Sequence, residues 1–190
     1  HSLQRDEQKP LSLHINVSRK QLFVPGLVNL VQEALVKHSL QPRCLHLEIT
    51  ESVIMEDPKT AIAVLDELRQ LGVKIDIDDF GTGYSSLSCI HEFPVDVLKI
   101  DRTFIARLEE ASQSTALLQA VLALAESLHM PVVAEGIEDD KQFDLLRTMG
   151  CEYGQGYVFA KPMPSVEFEQ FLNSSCGVVS RVGELSVTAS

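Results

Sequence analysis

Basic side chains are scarce in this chain. Its 190 residues carry 16 Lys and Arg against 27 Asp and Glu, a formal net charge of −11, which argues against binding DNA or RNA through a basic surface. A phosphate-bearing substrate stays open, because bound divalent cations reverse the local sign. Paired cysteines are also missing. Cys44, Cys89, Cys151 and Cys176 form no C-x-x-C motif, so neither a zinc knuckle nor a redox pair is indicated, and free thiols in a reducing cytosol are the better reading. The longest apolar stretch, Ala116 to Ala134, is broken by Gln119, Glu126 and His129 and is too polar to span a membrane. No signal peptide is visible. The Gly-rich segment after Asp79 lacks the third glycine of a dinucleotide fingerprint, and no Walker lysine follows it. The chain opens on His1 rather than Met, with a polar run to Lys9, and reads as the cut edge of something longer.

What is present is an ordinary globular composition, 45% apolar and 23% charged, long enough for one domain with a substantial core. Apolar runs alternate with amphipathic ones. Strands are expected near 11–16, 44–49, 74–79, 95–100, 131–135 and 154–159. Helices are expected near 25–38, opened by Pro25; 58–71, capped by Asp57 with Pro58 behind it and stopped by Gly72; 114–129, with Leu117, Val121, Leu124 and Leu128 inward; and 139–149, burying Phe143, Leu146 and Met149. A short last helix follows Ser165. From Asn173 the pattern loses its period, and 173–190 reads as a mobile tail, so the domain is placed at 1–172.

Each expected strand ends on a polar or charged residue: Asn16, Glu48, Asp78 with Asp79, Lys99 with Asp101, Glu135 and Gln155. These recur about 20 to 36 residues apart, close to the length of successive β-α units. That spacing predicts a wound parallel sheet, and chemistry at the ends of several different strands favours a closed barrel over an open one. Six units cannot close an eight-stranded barrel, so two are expected to be missing. Asp78 and Asp79 point to opposite sides unless the backbone turns, a turn Gly81 and Gly83 could supply; brought together they suit a pair of hard cations. Glu48 stands in an apolar strand and needs a cation or several donors. Glu51 braces the neighbouring loop. Asn16 offers a neutral oxygen ligand or caps the next turn through Ser18. Lys99 could position water, neutralise charge, form a Schiff base or pair with Asp101. Glu135 is the candidate for polarising a nucleophilic water, and Gln155, between two glycines, has close backbone access to a flat ligand. His14 and His46 are expected as core residues rather than ligands.

The words around these residues carry a resemblance. Ile-Asn-Val-Ser-Arg-Lys-Gln-Leu (15–22), Leu-Glu-Ile-Thr-Glu-Ser (47–52), Asp-Asp-Phe-Gly-Thr-Gly-Tyr-Ser-Ser-Leu (78–87), Leu-Lys-Ile-Asp-Arg-Thr-Phe (98–104), Ala-Glu-Gly-Ile-Glu (134–138) and Gln-Gly-Tyr-Val-Phe-Ala-Lys-Pro (155–162) closely resemble EAL-domain cyclic di-GMP phosphodiesterases, in that family's order and spacing. The resemblance implies an α/β fold, a modified TIM (β/α)8 barrel truncated here to about six β-α units. It implies hydrolysis of cyclic di-GMP to linear pGpG with Mg2+ or Mn2+ at a two-metal site. Asn16, Glu48, Asp78 and Asp79 then resemble metal ligands, Lys99 and Glu135 the groups that hold and activate water, and Glu51 the anchor of the loop after Asp79. Asp101 and Gln155 would line the substrate site. A cytoplasmic domain, homodimeric when intact and touching neither nucleic acid nor membrane, is the corresponding setting. Glu33-Ala34-Leu35 is a decoy inside a helix; the signature strand belongs before Asn16 and is absent, so the fragment alone is expected to be inactive. A non-catalytic cyclic di-GMP receptor is the alternative, and a Schiff-base aldolase built on Lys99 a distant third.

Overall fold

The structure is a computed structural model and describes residues 11–81, 90–106, 108, 112–174 and 187–188. In chain order the elements are β1 (Leu13–Asn16), α1 (Arg19–Leu22), α2 (Leu27–Lys37), β2 (Leu45–Thr50), α3 (Glu51–Glu56), α4 (Pro58–Gln70), β3 (Lys74–Phe80), β4 (Val97–Ile100), α5 (Arg102–Ala106), α6 (Ser112–Ser127), β5 (Val132–Ala134), α7 (Asp140–Thr148), β6 (Tyr153–Gly154), α8 (Ser165–Ser174) and β7 (Val187–Thr188). Every strand pairing is parallel. The sheet order β6-β5-β4-β3-β2-β1-β7 follows the chain without reversing from β1 to β6. An open doubly wound sheet reverses at a switch point; a barrel does not. The six sequential strands form a half-barrel of the TIM type.

The strands fill with Ile and Leu because both faces are covered. Ile49, Ile75, Ile77, Leu98 and Ile100 are wholly buried, and Ala61, Leu65 and Leu68 of α4, Leu118 of α6 and Leu146 of α7 pack onto the same core. Each such side chain contributes about 1.5–3 kcal/mol on burial. The caps do the local work. Asp57 accepts from the Thr60 amide and Asp139 from those of Lys141 and Gln142, while Gly72 and Gly150 leave α4 and α7 with φ of 91° and 85°.

Several expectations are corrected. Pro25 does not open α2; Gly26 at φ 98° is its N-cap and the helix starts at Leu27. The buried stripe of α6 is Leu118, Val121 and Ala125, with Leu117 exposed and Leu124 and Leu128 partly buried, a shift of one residue at its first and third positions. In α7, Leu146 is buried and Phe143 only partly so, set edge-on to Phe159 at 5.8 Å. The last expected strand shrinks to two residues, because beyond Gln155 the chain turns back and Val158 donates to the Ile137 carbonyl at 3.0 Å. Helices α1, α3 and α5 went unread; each is six residues or shorter, below the length at which periodicity shows. Of the expected tail, residues 173 and 174 complete α8 and Val187–Thr188 lie beside β1; its other residues fall outside those described. Among the described residues no helix is long and apolar enough to cross a membrane.

Candidate active site at the strand ends

Ladder hydrogen bonds place the polar residues along one rim. Asn16 stands opposite Glu48, and Thr50 opposite Asp78. The Glu135 amide donates to the Ile100 carbonyl at 3.0 Å, and the Gln155 amide to Ala134 at 2.8 Å, so each strand end is pinned to its neighbour. Helix α1 is capped by Ser18, paired with Gln21 in a capping box, and that role therefore does not fall to Asn16, which stays exposed.

Lys99 is the centre of the site. Its Nζ lies 2.5 Å from Glu48 Oε1, 2.5 Å from Glu135 Oε1 and 3.7 Å from Asp78 Oδ1, and Lys99 and Glu48 are both buried. Burial works against the ammonium, but Glu135, Glu48 and Asp78 outweigh it and hold its pKa above the ordinary lysine value. An amine so held is no Schiff-base nucleophile, which removes the aldolase reading. Asp101 turns instead to Thr103, accepting from its amide at 3.0 Å and from its hydroxyl. Glu48 is likewise desolvated, yet His14 and Lys99 more than compensate and pull its carboxyl below the usual range. Glu135 behaves differently: burial prevails over Lys99, with Asp78 and Glu48 adding to it, and its carboxyl is raised.

The backbone does turn at Asp78 and Asp79, though not by the means expected. The turn falls at Asp79 itself, at φ 54°, where the β3–β4 register breaks between Ile77 and Phe80. Asp78 Oδ1 accepts from the Asp79 amide at 3.0 Å. Burial raises the Asp79 carboxyl, and the charges of Asp78 and Asp101 raise it further. Gly81 follows at φ 91°, whereas Gly83 lies outside the described residues. Glu51 is buried in the first turn of α3 and accepts a hydrogen bond from the Gly81 backbone; burial raises its carboxyl, and its Oε2 has no partner among the described residues. Gln155 is half-buried. Its flanking glycines have a cause other than ligand access: a Cβ on Gly156 would sit 2.1 Å from the Ile137 carbonyl oxygen, and one on Gly154 2.6 Å from Ile137 Cδ1.

Beneath the rim is a group that sequence reasoning passed over. His14 and His46 pair across β1 and β2, their rings stacked at 4.3 Å. His14 Nδ1 is 3.1 Å from Glu48 Oε1 and 3.2 Å from Asp76 Oδ2, and His46 Nδ1 is 2.9 Å from Asp76 Oδ1. Burial opposes a charge on His14, but Asp76 and Glu48 overcome it and lift its pKa to about 9. Burial opposes Asp76 as well, and the two histidines prevail, holding its carboxyl low. The signal was available: each of the three precedes a strand-end residue by two, and side chains two apart share a face.

A half-barrel with a lysine-bridged acidic cluster along its strand ends has the organisation of a barrel enzyme's active face. The sequence model of the EAL domain matches residues 1–162, and the chain belongs to the EAL domain family. It is 45% identical to an uncharacterized signaling protein of Caulobacter vibrioides over 83% of this chain and 19% of that protein. It is 43% identical to the bifunctional diguanylate cyclase/cyclic di-GMP phosphodiesterase MucR of Pseudomonas aeruginosa over 86% of this chain and 23% of MucR. The chain thus spans about a fifth of the length of these curated relatives. Among solved structures it resembles the MucR phosphodiesterase in complex with c-di-GMP, with TM-score 0.80, 42% identity, and coverage of 83% of this chain and 64% of that one. The EAL domain of Mycobacterium smegmatis DcpA gives TM-score 0.81 at 40% identity, covering 86% and 73%. The Klebsiella pneumoniae BlrP1 manganese/cy-diGMP complex gives 0.75 at 32%, covering 80% and 39%.

Proposed function

We propose that the domain of which this chain is part hydrolyses one phosphodiester bond of cyclic di-GMP to give linear pGpG, with Mg2+ or Mn2+. The observation that carries the reading is the Lys99 ammonium held 2.5 Å from both Glu48 and Glu135, beside Asp78 and Asp79. Four carboxylates against one ammonium leave an excess of negative charge that a phosphodiester could approach only with cations present. The donor set fits hard ions: Glu48, Asp78, Asp79 and the Asn16 amide offer oxygens. When bound, such ions neutralise the scissile phosphate and acidify water.

The chain's own groups supply the rest. Glu135, raised by burial, accepts the proton of the attacking water, and Lys99 holds that carboxylate in place while adding positive charge where the phosphoryl oxygens gather negative charge. Glu51 fixes the backbone that follows Asp79 through Gly81. Asp101 and Gln155 face the substrate at the ends of β4 and β6. The buried free thiols of Cys44 and Cys151 accord with a cytoplasmic, reducing setting.

The test is formation of pGpG by a domain of the length of its solved relatives, this chain joined to the amino-terminal segment of the MucR domain. Turnover should require Mg2+ or Mn2+, and Glu135→Gln should lower it about 10²–10⁴-fold. Full turnover in excess EDTA would overturn the reading, and tight binding without turnover would return the receptor alternative.

A further inference from the structure

The strand-end chemistry leaves His14, His46 and Asp76 without a task. Their donor atoms lie within 4.8 Å of one another, the compact His/Cys/Asp/Glu triad found among the described residues. They come from three adjacent strands, β1, β2 and β3, and point into the half-barrel. Asp76 is fully buried and His14 nearly so. Both imidazoles deliver the same atom, Nδ1, to the same carboxylate: His46 at 2.9 Å from each Asp76 oxygen, His14 at 3.2 Å from Oδ2. Glu48 Oε1 stands beside the group, 3.1 Å from His14 Nδ1.

We propose that His14, His46 and Asp76 form a second cation site, distinct from the hard-ion site above it and selective for a borderline transition ion of the zinc type. With metal–ligand bonds of about 2.0–2.1 Å, neighbouring donors in tetrahedral or octahedral shells stand roughly 2.9–3.4 Å apart. The nitrogen–oxygen separations on Asp76, 2.9 Å from His46 and 3.2 Å from His14, fit inside that interval. The chemistry separates the two sites. Two imidazoles with carboxylate oxygens suit Zn2+, Co2+ or Ni2+, whereas Mg2+ seeks oxygen and keeps its water. Glu48 borders the lower site, accepting from Lys99 on one side and from His14 on the other, so an ion that takes His14 Nδ1 would remove one hydrogen bond from a carboxylate that the upper site uses. The lower site makes no use of Asp78, Asp79 or Glu135, and its failure would leave the phosphodiesterase reading standing.

The experiment uses Co2+ as a visible probe on the 190-residue chain, with Zn2+ and Mg2+ as competitors. One Co2+ should bind with the absorption of nitrogen–oxygen ligation, be displaced by Zn2+, and persist in excess Mg2+. His46→Gln and Asp76→Asn should each weaken it by at least the roughly 10–100-fold that loss of even an outer partner costs, while Asp79→Asn should not. Circular dichroism confirms that the variants fold. Should they not, the imidazole nitrogen-15 shifts of the unaltered chain decide, since Zn2+ must move Nδ1 of both histidines. Unchanged histidine signals, Co2+ binding indifferent to His46→Gln, or binding lost only in Asp79→Asn would each overturn the proposal and leave the cluster as a hydrogen-bonded brace.

Discussion

Replacing Lys99 by methionine keeps the length of the side chain and removes its charge. The ammonium lies 2.5 Å from Glu48, 2.5 Å from Glu135 and 3.7 Å from Asp78. At an effective dielectric of ~20 each of the two short contacts is worth about 7 kcal/mol in gross Coulomb energy. Desolvation of the ions consumes several kcal/mol apiece, and removing one partner of a buried pair typically costs 3–5 kcal/mol net. Lys99→Met should therefore lose about 3–5 kcal/mol, a large part of the roughly 5–15 kcal/mol that holds a domain together. Urea unfolding at pH 7, followed by circular dichroism, reads this as a lower midpoint at unchanged slope. The deficit should narrow in acid. The Glu135 carboxyl is raised by burial even with Lys99 beside it and rises further without the ammonium, so stability is recovered as pH falls and it takes up a proton. A variant within about 0.5 kcal/mol of the parent at pH 7, the scale of an inconsequential surface change, would refute the argument and demote Lys99 to an incidental neighbour of the carboxylates.

Two further outcomes follow from the same geometry. The His14 pKa rises from 6.5 to about 9 on folding, so its contribution is complete below pH 6.5 and is lost as pH climbs through 9; stability should fall by about 3 kcal/mol across that interval, and His14→Gln should flatten the fall in urea titrations. Gly136 sits at φ 70° with its missing Cβ 2.4 Å from Arg102 Cβ, whereas Gly150 at φ 85° has nothing within 4 Å; Gly136→Ala should cost roughly 2–4 kcal/mol by backbone strain plus overlap and Gly150→Ala only about 1, and equal midpoints for the two variants would contradict the packing argument.

The strand ends were legible because a buried polar residue after an apolar run is conspicuous. Glu48, Lys99 and Glu135 announce themselves against Leu, Ile and Val, and the recurrence of such residues about one β-α unit apart already implies a sequential parallel sheet. Partners were not legible. Lys99 has Asp101 two residues away in sequence, yet its ion pairs are with Glu48 and Glu135, 51 and 36 positions distant, because the barrel curves those strand ends toward one another while Asp101 is occupied by Thr103. Short helices escaped for want of a full period. The histidines were expected in the core, where His14 lies, but their pairing was not legible: only the side-by-side register of β1 and β2 shows that the two share one carboxylate.

A pleated strand presents one side chain to a given face for every two residues of its length. At Asp79 the half-barrel departs from that rule: a single residue, wound to φ 54° where a side chain is uncomfortable, interrupts the alternation where the register with β4 breaks. Such a conformation costs on the order of 1–3 kcal/mol, and glycine would relieve it at once. The tension is therefore a record of choice. A sequence drifting toward comfort at this position would gain firmness and forfeit a charge; under the proposed function, thermostability and chemistry pull in opposite directions at one residue, and a library selected only for heat resistance should be found to discard Asp79 early.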